Sequence, residues 1–152
     1  MQYYSYEMFK DDMKELVSQI DFNPDAIVAI SRGGLTMAHF LGIALDLRCI
    51  FTINASSFFN KVQQEIQISN IPELNGNQRI LIVDEIVDSG TSMKKVYTIL
   101  STIYSNMDFK TACIFHKETA SFKPDFTLRK AVDWVEFFWE VDVARSIREN
   151  NR

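Results

Sequence analysis

Two short runs of branched apolar residues, AIVAI (26–30) and ILIV (80–83), constrain the fold more than any other part of the sequence. Neither run alternates with polar residues, which is typical of strands covered on both faces of a parallel sheet. Each is followed by a turn and then by apolar residues at helical spacing, in LTMAHFLGIALDL (35–47) and from about residue 91 to 104. These strand–turn–helix units predict an α/β domain with a doubly wound, mostly parallel sheet.

The remaining segments fit the same architecture. A first helix is predicted after the N-cap candidate Ser5, because apolar residues recur on one helical face: Phe9, Met13, Leu16, Val17 and Ile20. Further strands are predicted at RCIFTI (48–53) and KTACIFH (110–116), and a last strand ends near AVDWVEF (131–137). Residues 54–76 are polar, and we expect a mobile loop that carries one antiparallel strand near Ile66 and Ile68.

Length and charge limit the classes of protein. A chain of 152 residues with 47% apolar residues predicts a single domain, residues 1–152. The net charge of −4 without a basic block argues against a nucleic-acid partner. The longest apolar runs are too short to span a bilayer, and the start MQYYSYEMFKDDMK does not resemble a signal peptide. We therefore expect a cytoplasmic protein without a membrane span.

The cysteines and histidines do not predict chemistry. Cys49 and Cys113 lie in apolar runs without CxxC spacing, so we expect two reduced core residues and no disulfide. His39 lies in an apolar helical segment and His116 at a strand end. Both are expected to be structural rather than catalytic.

Polar chemistry is concentrated in three loops that follow predicted strands. They are SRGG (31–34), DEIVDSGTS (84–92) and HKETA (116–120). In a doubly wound sheet, the loops at the carboxyl ends of the strands gather around one crevice. We therefore expect these three loops to converge.

The DSGTS turn (88–92) precedes a predicted helix and is a candidate phosphate site. It offers successive backbone N–H groups, the hydroxyls of Ser89, Thr91 and Ser92, and the positive end of a helix dipole. Gly90 would let the turn close and would leave the backbone open to the phosphate. An ordinary capped turn would explain DSGTS alone. Asp84 and Glu85 change this interpretation, because adjacent carboxylates suit a vicinal diol or a hydrated divalent cation. A sugar phosphate fits both features.

The segment ILIVDEIVDSGTS (80–92) resembles the phosphoribosyl diphosphate (PRPP) binding motif of type I phosphoribosyltransferases. AISRGGL (29–35) resembles the pyrophosphate loop of that family. IFHKETA (114–120) and DWVEFFWE (133–140) resemble the purine-contacting segments of its bacterial xanthine-guanine, or 6-oxopurine, branch. The resemblance covers roughly residues 26–140.

The resemblance implies a Mg²⁺-dependent purine salvage enzyme that transfers the phosphoribosyl group of PRPP to N9 of guanine, xanthine or hypoxanthine. Asp84 and Glu85 would hold the ribose hydroxyls and, partly through water, the Mg²⁺, with the ion closer to Glu85. The 5′-phosphate would lie against Ser89, Gly90, Thr91 and Ser92. The pyrophosphate would lie against Ser31, Arg32, Gly33 and Gly34, and the peptide bond next to Arg32 can be cis in this family.

For the base, the resemblance implies a hood formed by residues 117–142. Asp88 would accept the proton of purine N7, and Lys117 would donate to the 6-oxo group. Trp134 would stack on the ring, Val135 would offer backbone groups, and Glu140 would recognise the 2-substituent. The catalytic residues implied are therefore Asp88, Arg32 and Glu85.

Some alternatives stay open at this stage. A PRPP-sensing or nucleotide-sensing regulatory protein of the same fold and a pyrimidine phosphoribosyltransferase are the competing functions. The resemblance implies a homodimer or homotetramer without deciding between them. The pairs Phe58–Phe59 and Phe137–Phe138 would form a lid, a purine wall or a subunit contact. The sequence does not rank the three purines.

Overall fold

The computed structural model describes residues 1–59 and 62–151, which form a six-stranded sheet, a two-stranded sheet and flanking helices. The elements in chain order are β1 (Gln2–Tyr4), α1 (Tyr6–Gln19), β2 (Ala26–Ser31), α2 (Leu35–Ala44), β3 (Ile50–Phe59), β4 (Val62–Ser69), β5 (Arg79–Val87), α3 (Thr91–Ile103), β6 (Asp108–His116), β7 (Phe126–Lys130), β8 (Val135–Phe137), a π-helix (Trp139–Arg145) and α4 (Ser146–Asn150). The π-helix and α4 are together called the C-terminal helical segment (139–150).

The larger sheet has the strand order β4-β3-β2-β5-β6-β7, and every pair in it is parallel except β3 with β4. Apolar side chains of α1 and α2 pack on one face, together with Ile27 and Leu81. Those of α3 pack on the other face, together with Val28 and Ile82. The doubly wound, mostly parallel sheet is thereby confirmed. The strand order reverses between β2 and β5, so the crevice lies at the carboxyl ends of these two strands.

The starts of two helices were predicted correctly from local sequence signals. The Ser5 hydroxyl accepts a hydrogen bond from the Met8 N–H at 3.1 Å, and α1 buries Phe9, Met13 and Leu16. Helix α3 begins directly after Gly90 and buries its face toward β5 and β6. Both helices therefore pack as their apolar spacing indicates.

Residues 54–76 contain more regular structure than one short strand. β3 continues to Phe59, and the eight-residue β4 pairs with it antiparallel, with Ala55 opposite Ile68. Ala55 and Ile68 pack against the α3 side of the core, which explains why the ladder extends beyond the apolar run of β3. Residues 60–61 and the side chains of Phe58 and Phe59 lie outside the described part of the chain.

The N-terminal strand β1, the strand β7 and the C-terminal helical segment were not predicted. β1 pairs parallel with β8, with Gln2 opposite Val135. A three-residue strand is too short to show a period, and its partner is distant in sequence. Strand β8 ends at Phe137, where the last strand was expected to end.

One of the two cysteines is not a core residue. Cys113 is buried, and burial raises the pKa of its thiol to about 12. Cys49 is exposed because it precedes β3 rather than lying within it, so its assignment to the core was wrong. His39 is exposed on α2. Among the described residues, no helix combines the length and the apolar character needed to cross a membrane.

Candidate active site

The SRGG loop (31–34) joins β2 to α2 and lies directly against β5. The peptide bond between Ser31 and Arg32 is cis, the form that the family resemblance allowed but did not decide. The Gly34 N–H donates to the carbonyl of Ile30 at 2.8 Å, and a Cβ at Gly34 would lie 2.5 Å from the Val83 carbonyl oxygen. Only glycine fits there, because the backbones of the loop and of β5 are in contact.

The acidic pair Asp84–Glu85 lies within β5 and borders the SRGG loop. A Cβ at Gly33 would lie 2.8 Å from Cδ of Glu85 and 3.0 Å from Oδ1 of Asp84. The Glu85 N–H donates to Oδ1 of Asp84 at 2.8 Å. Two of the three predicted loops are therefore in direct contact at the sheet edge.

Both carboxyl groups of the pair have strongly raised pKa values. Desolvation by the surrounding protein raises the pKa of Asp84 to about 7. Desolvation also raises that of Glu85 to about 8, and the charges of Asp84 and Glu140 add to the effect. A hydrogen bond from the Trp139 side chain and the charge of Arg32 lower the pKa of Glu85, but they do not offset the effect of burial.

The acidic pair has the chemistry of a divalent cation site. Oε2 of Glu85 is buried and has no hydrogen-bond partner among the described residues. A cation there would provide the missing partner and would favour the ionised form of both acids. Within residues 1–59 and 62–151, no group of three or more His, Cys, Asp or Glu is arranged so that it could hold a metal ion by itself. Mg²⁺ commonly binds through one or two carboxylates and completes its shell with water and substrate phosphate oxygens, so the residues fit this ion.

The DSGTS turn follows β5 and begins α3. The Thr91 N–H donates to Oγ of Ser89 at 3.3 Å, and the two hydroxyls are 3.1 Å apart. The turn borders a cavity of about 100 Å³, here called the turn cavity, which is lined by Asp84, Ile86, Val87, Asp88, Ser89, Gly90, Ser92 and Met93. Its size, its hydroxyls and the N-terminus of a 13-residue helix suit a phosphate group.

The structure adds a packing constraint at Gly90 to the expected one. Its φ of 87° is in the left-handed region, and a Cβ would lie 2.7 Å from the backbone nitrogen of Phe122. The Ser121 N–H and hydroxyl donate to the carbonyl of Ser89 at 2.8 and 3.0 Å. Gly90 is therefore also needed where the loop after β6 packs on the turn, in addition to lining the turn cavity.

All five predicted base-contacting residues meet at one cavity. This middle cavity, of about 290 Å³, is lined by Glu85, Ile86, Asp88, Lys117, Ala131, Val132, Asp133, Trp134, Val135, Phe137 and Glu140. Nζ of Lys117 lies 2.7 Å from Oδ1 of Asp88. The Trp134 side chain is 71% exposed, which leaves its ring free to stack on a ligand.

A third cavity, the Arg32 cavity, has a volume of about 760 Å³. Its lining residues are Arg32, Gly33, Leu35, Thr36, Glu85, Trp139, Glu140, Ala144, Arg145 and Arg148. Ser31 and Gly34, which were also predicted to bind pyrophosphate, support the loop rather than line this cavity. Sequence analysis missed Arg145 and Arg148, since the pattern at the C-terminus gave no indication of which side they face.

The three cavities are neighbours that share lining residues. Ile86 and Asp88 line both the turn cavity and the middle cavity. Glu85 and Glu140 line both the middle cavity and the Arg32 cavity. A ligand with anionic groups at both ends and a ring in between would fit this arrangement.

The aromatic pair Phe137–Phe138 lies at the end of β8, beside the site, and not in a loop. Phe137 is 3% exposed, lines the middle cavity and stacks on Trp139 at 4.7 Å between ring centroids. Phe138 packs edge-on against Tyr6 and Phe9 of the first helix. These contacts fix the wall of the middle cavity to the core.

Comparison with known proteins gives a consistent result. The family described as "Phosphoribosyl transferase domain" matches residues 2–146. The chain is 30% identical over 148 residues to the xanthine-guanine phosphoribosyltransferase of Cereibacter sphaeroides, a match that covers 90% of this chain and 85% of that protein. The solved xanthine-guanine-hypoxanthine phosphoribosyltransferase of Helicobacter pylori superposes with a TM-score of 0.88 at 41% identity, covering 97% of this chain and 98% of that one.

A purine phosphoribosyltransferase from Pyrococcus horikoshii shares the fold, with a TM-score of 0.78 at 24% identity over 91% of this chain and 92% of that one. The family match extends over almost the whole chain, and the matched region contains the β5–α3 segment and the three cavities. The chain belongs to the phosphoribosyltransferase family.

Proposed function

We propose that the protein is a purine salvage enzyme that transfers the phosphoribosyl group of PRPP to N9 of guanine, xanthine or hypoxanthine. The products are a nucleoside monophosphate and pyrophosphate. The observation that carries this proposal is the adjacency of the three cavities: the middle cavity shares Asp88 with the turn cavity and Glu85 and Glu140 with the Arg32 cavity. The names of the relatives from C. sphaeroides and H. pylori support the choice of a 6-oxopurine.

PRPP would span the two outer cavities. Its 5′-phosphate would lie in the turn cavity against Ser89, Gly90 and Ser92, which line it, and near Thr91, the first residue of α3. Its ribose hydroxyls would donate to the Asp84 and Glu85 carboxylates. Its pyrophosphate would lie in the Arg32 cavity, where a guanidinium can make two parallel hydrogen bonds to a phosphoryl group.

Asp84 and Glu85 would also hold the Mg²⁺ of PRPP. Magnesium, when bound, neutralises part of the negative charge that gathers on the departing pyrophosphate. The orphaned Oε2 of Glu85 is the atom that most clearly lacks a partner without it. Ionisation of both acids, which their raised pKa values oppose, becomes favourable beside the cation.

The base would occupy the middle cavity with Asp88 at N7. As N9 forms its bond to C1 of the ribose, the bond from C1 to the pyrophosphate oxygen breaks, and its electron pair leaves with pyrophosphate. The proton on N7 passes to the Asp88 carboxylate, so that charge does not accumulate on the purine. Attack on the face opposite the leaving group inverts C1.

Lys117 would select a 6-oxo group over a 6-amino group. One N–H of its ammonium group is directed to Asp88, at 2.7 Å, and two donors remain for the ligand. A 6-oxo group accepts such a donor, whereas the amino group of adenine is itself a donor. Trp134 would stack on the ring, Val135 would contribute backbone groups, and Glu140 would contact the 2-substituent, within a hood formed by residues 117–142.

Residues 54–76 would cover the bound substrates. Water competes with the purine for C1, and closing a segment over the site removes that competition. The β3–β4 hairpin starts beside β2, and Lys95 of α3 donates to the Ile66 carbonyl of this hairpin at 2.7 Å. The hairpin is therefore attached to the helix whose N-terminus would hold the 5′-phosphate.

An ultraviolet assay with PRPP and Mg²⁺ tests the proposal. Guanine, xanthine, hypoxanthine, adenine, uracil and orotate are each supplied as the acceptor. We expect turnover with one or more 6-oxopurines and none with adenine or the pyrimidines. Absence of turnover with all three 6-oxopurines, for protein shown to be folded by circular dichroism, would refute the proposed function.

A further inference from the structure

We infer that Arg145 and Arg148 form a second cationic wall of the Arg32 cavity and bind the pyrophosphate group of PRPP from the side opposite the SRGG loop. This inference rests on the proposed function. Both side chains line the same cavity as Arg32 and Gly33, although they come from the C-terminal helical segment (139–150). The segment also contributes Trp139, Glu140 and Ala144 to the lining.

The C-terminal helical segment is held in place at several points. Trp139 stacks on Phe137 at 4.7 Å, and the Tyr3 hydroxyl donates to Asp142. Nη2 of Arg145 donates to Oε1 of Glu136 at 3.3 Å. These contacts join the segment to β1 and β8. They position the π-helix, including Arg145, and α4, which carries Arg148, continues directly from it.

The charge of the lining supports an anion only if the C-terminal helical segment takes part. Among the described residues that line the cavity, the SRGG loop and β5 contribute one guanidinium, that of Arg32, and one carboxylate, that of Glu85. Glu140 adds a second carboxyl group, so without Arg145 and Arg148 the wall would have no excess of positive charge. With them it has three guanidiniums against two carboxylates, which suits a group carrying several negative charges.

Arg148 is available for a ligand. Within the described part of the chain, no hydrogen bond or ion pair engages its side chain. Arg145 uses Nη2 for Glu136, which orients the group and leaves its other N–H donors unused. Ala144 lies between Glu140 and Arg148 in the lining and carries only a methyl group, so it leaves room for a phosphoryl group in front of the guanidiniums.

The test compares Arg148→Ala and Arg145→Ala with Arg48→Ala. Arg48 is an exposed arginine before β3, at the edge of the sheet opposite the cavities, and is the matched control. Two quantities are measured: the dissociation constant of pyrophosphate with Mg²⁺ by calorimetry, and the KM values for PRPP and for the purine. We expect Arg148→Ala to weaken pyrophosphate binding and to raise the KM for PRPP by roughly tenfold, with the KM for the purine unchanged.

Arg148→Lys separates charge from shape. A lysine keeps the positive charge but loses the two-pronged hydrogen bonding of a guanidinium, so we expect an intermediate pyrophosphate affinity. Because the Arg148 side chain has no hydrogen-bond or ion-pair partner among residues 1–59 and 62–151, its variants should melt at the temperature of the parent protein. If Arg145→Ala fails to fold after Glu136 loses its partner, Arg148→Ala still decides the outcome.

Two results would overturn the inference: an unchanged pyrophosphate affinity in Arg148→Ala, or a change in the purine KM alone. Failure of the proposed function is distinguishable from failure of the inference. The calorimetric titration needs no turnover, whereas the proposed function fails if the parent protein converts no 6-oxopurine.

Discussion

The two sides of the candidate site are built in different ways. The phosphate side, residues 84–92, is one continuous stretch from β5 to the start of α3. The base side consists of segments from both ends of the chain, because β8 is held by β1 and covered by the C-terminal helical segment. The Gln2 N–H donates to the Trp134 carbonyl at 2.8 Å, next to the residue expected to contact the base. Local sequence therefore governs the first side, and long-range packing governs the second.

The buried polar network behind the base side shows this dependence most clearly. Asp12 of α1 is only 5% exposed. Its carboxylate accepts hydrogen bonds from the Tyr4 hydroxyl and from Nε of Arg129, each at 2.6 Å. Burial and the hydrogen bond to Asp12 raise the pKa of Tyr4. Helix α1, strand β1 and strand β7 are thus joined at one carboxylate, and Tyr4 in turn packs on Phe115 and Phe137.

The largest expected effect concerns the chemistry shared by both sides. Asp88→Asn should lower kcat by roughly a hundredfold or more, because the amide cannot accept the N7 proton, while the KM for PRPP changes little. Steady-state kinetics with both substrates varied measures the two effects separately. Asp108→Asn is the matched control, since Asp108 is exposed at the opposite end of β6. An equal turnover of Asp88→Asn and the control would remove Asp88 from the mechanism.

The second effect is a pH dependence that belongs to the phosphate side. The pKa of Asp84 rises from 3.8 to about 7 on folding, and that of Glu85 from 4.5 to about 8. Below the unfolded-state pKa values of 3.8 and 4.5, both carboxyl groups are protonated in the folded and in the unfolded state. Between these values and the raised ones, the folded state keeps protons that the unfolded state has lost. The melting temperature without ligand or divalent ion should therefore fall as the pH rises from about 4 to about 8.

The double variant Asp84→Asn, Glu85→Gln should melt with a much weaker pH dependence over this range. Glu140→Gln is the finer comparison, since the charge of Glu140 is the third cause of the raised pKa of Glu85. We expect it to reduce the slope only slightly. A melting temperature that rises over the range in the parent protein would contradict the sign of both pKa shifts.

The third effect tests the base side. Arg129→Met leaves the buried Asp12 carboxylate without its two-pronged partner, and we expect the melting temperature to fall by roughly 5–10 °C. The KM for the purine should rise more than that for PRPP, since the network supports β1 and β8. Lys130→Met, which removes an exposed ion pair to Glu118, should leave both quantities unchanged. Equal changes in the two KM values would show that the two sides are not separable.

The smallest effect distinguishes backbone strain from packing. Gly76 and Gly90 both have a left-handed φ, of 93° and 87°, but a Cβ at Gly76 meets nothing within 4 Å. Gly76→Ala should cost about 1 kcal/mol of unfolding free energy. Gly90→Ala should cost about 2 kcal/mol or more, because its Cβ would also press on the backbone of Phe122. Denaturant unfolding of both variants measures the difference, and equal costs would show that packing on the turn contributes nothing.

Much of the phosphate side could be predicted because its signals are local. The apolar run ILIV, the acidic pair and the DSGTS turn are consecutive, so the strand, the turn and the helix start follow from neighbouring residues. The family motif covers the same stretch, and the five predicted base contacts line the middle cavity as a group. Asp84 and Glu85 were expected in the loop after the strand, but β5 continues through them to Val87, and the raised pKa of Glu85 depends on burial and on the charge of Glu140.

The amino-acid order alone is sufficient for the alternation of strands and helices, the doubly wound sheet and the contiguous turn at its edge, since these depend on periodicity and on residues close in sequence. Folding in three dimensions decides the pairing of β1 with β8, the network around Asp12 and the position of Arg145 and Arg148 at the Arg32 cavity. The physical reason is that these contacts join segments from opposite ends of the chain, and no local pattern records which distant surface a short strand or an arginine will meet.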